Sequence, residues 1–238
     1  MRVITGSARG YGLKAPRRMK LRPTPARVKE ALFSSLAARV PGAHVLDLFA
    51  GTGAFAIETL SRGAAAATLV EKDPRAITLI GQNLRKTHLE KNARVLRVDV
   101  RQALEWFQRE AARFDIIFAD PPYQKGELPA EGGVQAGKHA QKEKGTGHLP
   151  RNWCGWLSFL LCSEILPGLL APDGVLLIEH YKKEKVVDSP HFAMTRQFRF
   201  GDTIVGVFRH RPSEERVVFP GPSFPNANMT QEYTIGHN

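Results

Sequence analysis

At 238 residues, the chain is long enough for one folded domain of moderate size with short appendages. Hydrophobic residues make up 42% of it and charged residues 24%, which is ordinary for a soluble protein. It contains neither an apolar run of about 18 residues nor a signal-peptide core, so we expect a cytoplasmic protein without a membrane span. The net charge of +11 favours a polyanionic partner.

Most of this charge lies in residues 1–40. The segment contains ten lysine and arginine residues and a single acid, Glu30, and so carries nine of the eleven net positive charges. Glycine and proline are interspersed among the basic residues, which favours contact with a polyanion over a solvated helix face. At its end, RPTPARVKEALFSSLAARV predicts a helix with Thr24 as the cap and Pro25 in the first turn.

From residue 44 onwards, short apolar runs alternate with helical patterns. Strands are predicted over residues 44–49, 67–71, 95–99, 115–119 and 175–179, and helices over 54–62, 74–87, 102–109 and 153–170. Strands that are apolar on both faces and separated by helices favour a parallel sheet covered on both sides. Two last strands, over 192–200 and 203–210, predict an antiparallel hairpin. The predicted fold class is therefore α/β, a mostly parallel sheet with an antiparallel C-terminal edge hairpin, over residues 41–211.

Two segments fall outside this alternation. Residues 124–152 hold six glycines and two prolines without periodicity, and we expect a long insertion loop. Residues 212–238 form a tail for which two interpretations stay open. It either lacks fixed structure or is the remnant of a fused domain, since VVFPGPSFPNANMTQEYTIGHN faintly resembles the opening of a phosphopantetheine adenylyltransferase.

The first strand runs into a glycine-rich turn, VLDLFAGTGAF. Gly51 and Gly53 allow the backbone to approach a ligand, and the helix that follows presents free N–H groups. Glu71 ends the second strand and can accept hydrogen bonds from both hydroxyls of a ribose, while Asp99 ends the third and can bind an adenine amine. The turn lacks a third glycine and a P-loop lysine, so it suits a pyrophosphate poorly. S-adenosylmethionine, which carries no phosphate, fits better.

The fourth strand ends in an unusual sequence, DIIFADPPYQKG. Proline donates no N–H and cannot continue a strand ladder, so Asp120 and the carbonyl of Pro121 are held rigidly beyond the strand. A ring amine is a weak nucleophile because its lone pair is delocalised, and two fixed acceptors can take its N–H groups and aim the lone pair. The ring of Tyr123 can stack on an extruded base. Taken with the resemblance of DPPY to the signature of the amino-methyltransferases, this implies that Asp120, Pro121, Pro122 and Tyr123 are the catalytic motif of an amine methyltransferase.

The glycine turn resembles that of the class I methyltransferases, and DPPY resembles the signature of amino-methyltransferases. A closer resemblance is carried by five stretches in order along the chain. MRVITGSARGYGLKAP with LRPTPARVKEALFSSL, VLDLFAGTGAFAIETLSRGAAAATLVEKD, FDIIFADPPY, LLAPDGVLLIEH and FRFGDTIVGVFRH resemble the bacterial RsmD family of small-subunit (16S) rRNA guanine-N2 methyltransferases. The resemblance spans residues 1–210 apart from the insertion, which has no counterpart in the family.

The resemblance implies a Rossmann-like class I methyltransferase fold and S-adenosylmethionine as the cofactor. It implies a monomer that needs no metal and acts on small-subunit rRNA, either naked or in an assembling 30S particle, with residues 1–40 as an RNA-binding extension. The implied cofactor contacts are Asp47, Phe49, Ala50, Gly51, Thr52, Gly53, Glu71, Lys72, Asp99 and Val100. The implied RNA contacts are Arg9, Arg22, Thr24 and Arg27.

Two other functions stay open at this point. The same chemistry could act on DNA or another RNA, or on a protein glutamine. The first residue of the motif is Asp120 rather than an asparagine, which argues against the glutamine enzymes. Alternatively, the protein could bind the ribosome through residues 1–40, its basic leader, and retain only a vestigial cofactor site.

Overall fold

The computed structural model of the protein describes residues 1–15, 26–122 and 155–211, and residues 26–29 by their backbone alone. The insertion over 124–152, the tail over 212–238 and the predicted helix cap at Thr24 lie outside these residues. None of the helices in the described ranges is both long and apolar enough to cross a membrane. The elements are α1 (Ala26–Ser35), β1 (His44–Asp47), α2 (Ala54–Ser61), β2 (Ala66–Glu71), α3 (Pro74–Thr87), β3 (Ala93–Arg97), α4 (Val100–Arg109), β4 (Phe114–Ala119), α5 (Trp156–Leu161), α6 (Leu166–Leu169), β5 (Leu170–Tyr181), β6 (Phe192–Phe200) and β7 (Thr203–His210).

The seven strands form one sheet in the order β3-β2-β1-β4-β5-β7-β6. The first five strands in this order are parallel to one another. β7 pairs antiparallel with β5, and β6 pairs antiparallel with β7. This confirms the predicted α/β class and its edge hairpin. The chain builds outward from β1 to β3 on one side and from β4 onward on the other, so the strand order switches between β1 and β4. In sheets of this kind, ligands bind outside the carboxyl ends of the strands at the switch point.

Alternate residues of the central strands pack into two separate layers of core. Val45 of β1 faces α1, α2 and α3, whereas its neighbour Leu46 faces α4 and α5. Phe118 and Ala119 of β4 divide between the two layers in the same way. Burial on both faces is the physical reason why these strands are apolar at every position rather than at every second one.

The predicted helix over 153–170 is wrong, because the described part of that stretch contains two short helices. Ser163 Oγ accepts hydrogen bonds from the backbone N–H groups of Ile165 and Leu166 at 3.3 and 3.2 Å, which starts a new turn. Pro167 lies in the first turn of α6, and the chain enters β5 at Leu170. Both helices bury leucines in the same layer of core, so their side-chain pattern imitates one continuous helix.

Residues 1–15 pack against α2 and α3 and bury Val3, Ala8 and Leu13 in the core. Ser61 at the end of α2 holds this segment: its backbone oxygen accepts the N–H of Ser7 at 2.8 Å, and its Oγ accepts the N–H of Ala8 at 2.9 Å. Gly6 has φ of +88°, and a Cβ there would lie 1.7 Å from the Ser61 carbonyl oxygen. The close approach of the two backbones therefore requires glycine.

Candidate active site

The glycine-rich turn lies between β1 and α2 and is tied to both neighbouring strands. The N–H of Leu48 donates to the Phe118 carbonyl of β4 at 2.9 Å, and the N–H of Ala50 donates to the Val70 carbonyl of β2 at 3.0 Å. Gly51 and Gly53 both have positive φ, +53° and +75°. The nearest atom to a Cβ at Gly51 is 4.0 Å away, so a ligand can approach the backbone there. Gly53 is instead enclosed by Leu69 and Ile80.

Glu71 holds this turn by its carboxylate. Its Oε2 accepts the N–H of Gly51 at 2.9 Å, and its Oε1 accepts the N–H groups of Lys72 and Asp73 at 2.8 and 2.9 Å. Three backbone donors fix the side chain in one orientation at the end of β2, where it is half-buried. Each carboxylate oxygen has two acceptor positions, so a ligand hydroxyl can still bind to it.

Asp47, the last residue of β1, is buried and its Oδ1 has no hydrogen-bond partner in the described structure. Burial, together with the nearby carboxylates of Asp120 and Glu71, raises the pKa of Asp47 to about 8, against the lowering effect of backbone N–H groups at Phe49 and Ala56. A buried acceptor without a donor is costly to leave unsatisfied. The site is therefore built for a ligand that brings a donor, and best for one that brings a positive charge.

The Asp-Pro-Pro motif lies directly beside the turn because β4 pairs with β1. Asp47 and Phe118 are register partners, so Asp120 follows at the same edge of the sheet and interacts with Asp47 electrostatically. Pro121 is buried, while Asp120 and Pro122 are exposed to solvent. Tyr123, the fourth residue of the predicted motif, lies outside the described residues.

The remaining predicted cofactor residues surround the same edge. Asp99 lies two residues beyond β3 and caps α4, since its Oδ1 accepts the N–H of Arg101 at 3.0 Å. Val100 is the first residue of α4 and is buried, Thr52 is buried in the turn, and Lys72 is exposed.

Asn83 of α3 was not predicted and is fully buried. Its Nδ2 donates to the carbonyls of Thr52 at 2.9 Å and Lys14 at 3.1 Å, and its Oδ1 accepts the N–H of Lys14 at 2.8 Å. One amide thus joins the N-terminal segment to the glycine turn. A polar residue at an inward position of a predicted helix was the only signal in the sequence.

The aromatic neighbours of the predicted cofactor residue Phe49 were also missed. Phe49 packs edge-on against Trp156 at 4.9 Å between ring centroids, and Trp156 packs against Phe159 at 5.3 Å. The guanidinium of Arg101 lies over both α5 rings, at 4.9 and 5.2 Å. Trp156 follows the insertion by sequence and reaches the turn only through the fold.

The end of β5 adds two further polar residues next to the motif. Ala119 pairs with Ile178, so Glu179 and His180 follow at the same edge as Asp120. Glu179 is buried, and burial lowers the pKa of His180, so its imidazole is held neutral. The acid near the end of this fifth parallel strand follows the same pattern as Asp47 and Glu71, and this pattern could have identified it.

The predicted RNA-binding residues are less fully described. Arg9 is exposed in the N-terminal segment, close to Ser61 at the far end of α2. From Gly53 this is about 12 Å along the helix axis, at 1.5 Å per residue. Arg22, Thr24 and the side chain of Arg27 lie outside the described residues.

Within the described ranges, no three His, Cys, Asp or Glu side chains are grouped in a way that could hold a metal ion.

Comparison with known proteins gives consistent matches. The family model described as "Conserved hypothetical protein 95" matches residues 1–136. YlbH of Bacillus subtilis (strain 168), provisionally named an rRNA methyltransferase, is 32% identical over 212 residues, which cover 89% of this chain and all of that protein. Ribosomal RNA small subunit methyltransferase D of Escherichia coli (strain K12) is 37% identical over 164 residues, covering 64% of this chain and 81% of that protein.

Solved structures agree. The yhhF protein of Escherichia coli, provisionally described as a methyltransferase, has a TM-score of 0.64 at 28% identity and covers 88% of this chain and 97% of its own. A hypothetical protein of Thermus thermophilus has a TM-score of 0.65 at 29% identity, with coverage of 88% and 99%. The fold is thus that of the class I methyltransferases, and the chain belongs to the family described as conserved hypothetical protein 95, the RsmD family.

Proposed function

We propose that this protein uses S-adenosylmethionine to methylate the N2 amine of a guanine in small-subunit rRNA. The observation that carries the proposal is the pairing of β4 with β1, through which Asp120 and Pro121 follow the sheet beside the glycine turn and its buried Asp47. An electrophile held at the turn and an amine held at the motif would meet at this edge. The names of the relatives from Escherichia coli and Bacillus subtilis support rRNA as the substrate.

The residues around the turn fit the cofactor. The unpartnered Oδ1 of Asp47 can accept from the cofactor's ammonium group, and the open space over Gly51 admits its chain. Oε2 of Glu71 keeps one acceptor position for a ribose hydroxyl, and the aromatic group around Phe49 and Trp156 offers an apolar wall for a ring. When bound, S-adenosylmethionine supplies an electrophilic methyl group on a sulfonium.

The motif residues would prepare the amine. Asp120 accepts one N–H of the guanine amine and the carbonyl of Pro121 accepts the other, so the lone pair is directed away from the ring. Because proline fixes φ and donates no N–H, neither acceptor is diverted into the sheet ladder. On methylation, with the cofactor's thioether as the leaving group, the nitrogen would give up one proton, which the Asp120 carboxylate would accept and pass to water. The ring of Tyr123 would stack on the base and hold it out of the RNA.

The experiment is single-turnover methylation with an Asp120→Ala variant. We expect a rate loss on the order of 10²–10³-fold, since one oriented acceptor is removed from the transition state. Binding of cofactor and RNA should stay nearly normal, because the acceptor matters most as the nitrogen becomes tetrahedral. Glu105→Ala, which removes an exposed acid from α4, is the matched control. Full activity of the Asp120→Ala protein would exclude amine methylation by this motif.

The target is tested separately. Small-subunit rRNA from cells with and without the gene should differ by one methylated guanine, and mass spectrometry of nuclease fragments should locate the methyl group on N2. A methyl group found instead on DNA or on a protein amide would keep the chemistry and overturn the substrate.

A further inference from the structure

We propose that a second site, formed by Arg39, Arg196 and Arg209, binds a phosphate group of the RNA backbone. The inference rests on the proposed function, because it assigns a further contact to the same substrate. The three arginines come from the end of the α1 region, from β6 and from β7, and they converge on one pocket of about 120 Å³. A single water needs roughly 10–15 Å³ by the same kind of measure, so the pocket can hold a phosphate with some of its waters.

The pocket has the chemistry of an anion site. Its lining combines the three arginines with apolar residues such as Val175 and Val207, and none of the described residues that line it is acidic. Three arginine side chains line this one small space, and an anion bound between them would reduce their mutual repulsion. The planar fork of donors on each guanidinium matches the oxygens of a phosphate, and arginine binds phosphate more specifically than lysine does.

A β-bulge creates this convergence. Met194 pairs with Phe208 and Arg196 pairs with Val207, so Thr195 is an extra residue in β6. Without it, Arg196 would fall on the opposite face of the sheet, since side chains alternate along a strand. With it, Arg196 shares the face of Val207 and of Arg209, which is two residues further along β7. Bulges are common where a strand redirects a side chain towards a site.

Arg39 lines the pocket from the α1 region, and a hydrogen bond holds its side chain in place. Its Nη1 donates to the carbonyl of Asp173 at 2.6 Å, and the residue is half-buried. The guanidinium of Arg196 lies over the ring of Phe198 at 5.5 Å, which restrains that side chain as well. An arginine that is already positioned loses less conformational freedom when it binds a phosphate. Arg209 remains exposed and can close on the ligand.

The pocket is remote from the candidate active site. Val175 pairs with Ile116 in the amino-terminal half of β4, whereas Asp120 follows the carboxyl end of that strand. Four residues of parallel strand separate Val175 from Glu179, which corresponds to about 13 Å at 3.3 Å per residue. An RNA that contacts both places must therefore extend well beyond the target nucleotide, so a short oligonucleotide around the target should bind weakly.

The test compares two double variants that remove the same charge. Arg196→Gln with Arg209→Gln removes two walls of the pocket. Arg199→Gln with Arg109→Gln is the control, since Arg199 lies on the same strand but on the other face and Arg109 is exposed on α4. Affinity for a transcript of small-subunit rRNA is measured between about 50 and 200 mM salt. We expect the pocket variant to bind about tenfold more weakly and its salt slope to fall by about 1, the value for one lost phosphate contact.

Other measurements separate this site from alternatives. Cofactor affinity and the single-turnover rate at saturating RNA should be unchanged in both variants, while the KM for RNA should rise in the pocket variant alone. Inorganic phosphate at constant ionic strength should weaken RNA binding by the wild-type protein more than by the pocket variant. Equal loss of affinity in the two double variants, or phosphate binding with no change in RNA affinity, would overturn the inference. If the wild-type protein fails to bind the transcript, the proposed function fails with it.

Discussion

Asp47 should make the affinity for S-adenosylmethionine depend on pH. In the ligand-free protein the pKa of this buried carboxyl is about 8. At pH 7 only about one molecule in ten then carries a negative charge at this position. Because Oδ1 lacks a hydrogen-bond donor, we expect the cofactor's ammonium group to select the charged form. The observed affinity is then the intrinsic affinity multiplied by the charged fraction.

The magnitude follows from that fraction. Between pH 6 and pH 7 the charged fraction rises from about 1% to about 9%, so affinity should rise nearly tenfold over that unit. The cofactor's own α-amino group has an ordinary pKa of about 7.7–8.0 and begins to lose its charge above that range. The pH dependence of cofactor affinity should therefore be measured between about pH 6 and about pH 7.5, where the ligand stays cationic.

Isothermal titration calorimetry in buffers with different ionisation enthalpies measures both quantities. The wild-type protein should release nearly one proton for each cofactor bound at pH 7. Asp47→Asn keeps the shape of the side chain but cannot be charged, so its affinity should be flat across the window and lower than that of the wild-type protein at the upper end. Asp173→Asn, at an exposed position near the amino-terminal side of the sheet, is the control. If the cofactor affinity of the wild-type protein did not change with pH, or if that of Asp47→Asn changed with the same slope, the role given to Asp47 would be refuted.

The stability of the ligand-free protein supplies an independent check on the pKa. The folded pKa of Asp47 is raised above its unfolded value, so the folded state holds the proton more tightly and stability falls as pH rises from about 4 to about 8. The carboxyl should cost on the order of 4 kcal/mol between pH 4 and pH 7, and Asp47→Asn should remove that part of the decline. Chemical denaturation at several pH values gives the comparison, and parallel curves for both proteins would contradict the raised pKa.

Three other changes have defined outcomes. Glu71→Ala should lower cofactor affinity at least tenfold by calorimetry, since charge-assisted hydrogen bonds worth roughly 1.5–3 kcal/mol are lost and the Gly51 N–H loses its acceptor; unchanged affinity would contradict the role given to this carboxylate. Asn83→Ala should lower both the melting temperature and cofactor affinity, because the backbone groups of Thr52 and Lys14 lose their partner, at about 1–3 kcal/mol for a buried group; a change in stability alone would mean that the amide does not position the turn. Gly6→Ala should unfold the protein at a much lower temperature than Gly10→Ala, since both have φ of +88° but only the former meets a backbone oxygen; equal melting temperatures would show that backbone strain alone, about 1–2 kcal/mol, decides the result.

The structure also changes how the basic leader should be tested. Val3, Ala8 and Leu13 are core residues, and Lys14 contacts Asn83 behind the glycine turn. Deleting the first residues would expose apolar core and disturb the turn, so the loss of RNA binding would not report on charge alone. Substitution of exposed arginines such as Arg9 by glutamine separates the two effects. We expect such variants to keep the melting temperature and to lose RNA affinity with a shallower salt slope.

The sequence alone determined those features that depend on neighbouring residues. Asp73 caps α3 and Pro74 opens it, and the observed helix has the predicted bounds of 74–87. The hairpin of β6 and β7 also has its predicted bounds, because Gly201 marks the turn locally with φ of +59°. The glycine turn and the Asp-Pro-Pro motif were visible for the same reason, since each is a short run of residues with unusual backbone requirements.

The tertiary structure decided the features whose partners are far apart in the chain. Glu71 reaches Gly51 across 20 residues, and Asn83 reaches Lys14 across 69, by contacts that no local pattern reports. Trp156 reaches Phe49 only because α5 packs on the same layer of core as β1. The arginine pocket depends on one extra residue at Thr195, which changes the face of the strand on which Arg196 lies. Side-chain periodicity gives the spacing of buried residues within one element, whereas hydrogen-bond and packing partners are chosen by the order of strands in the sheet.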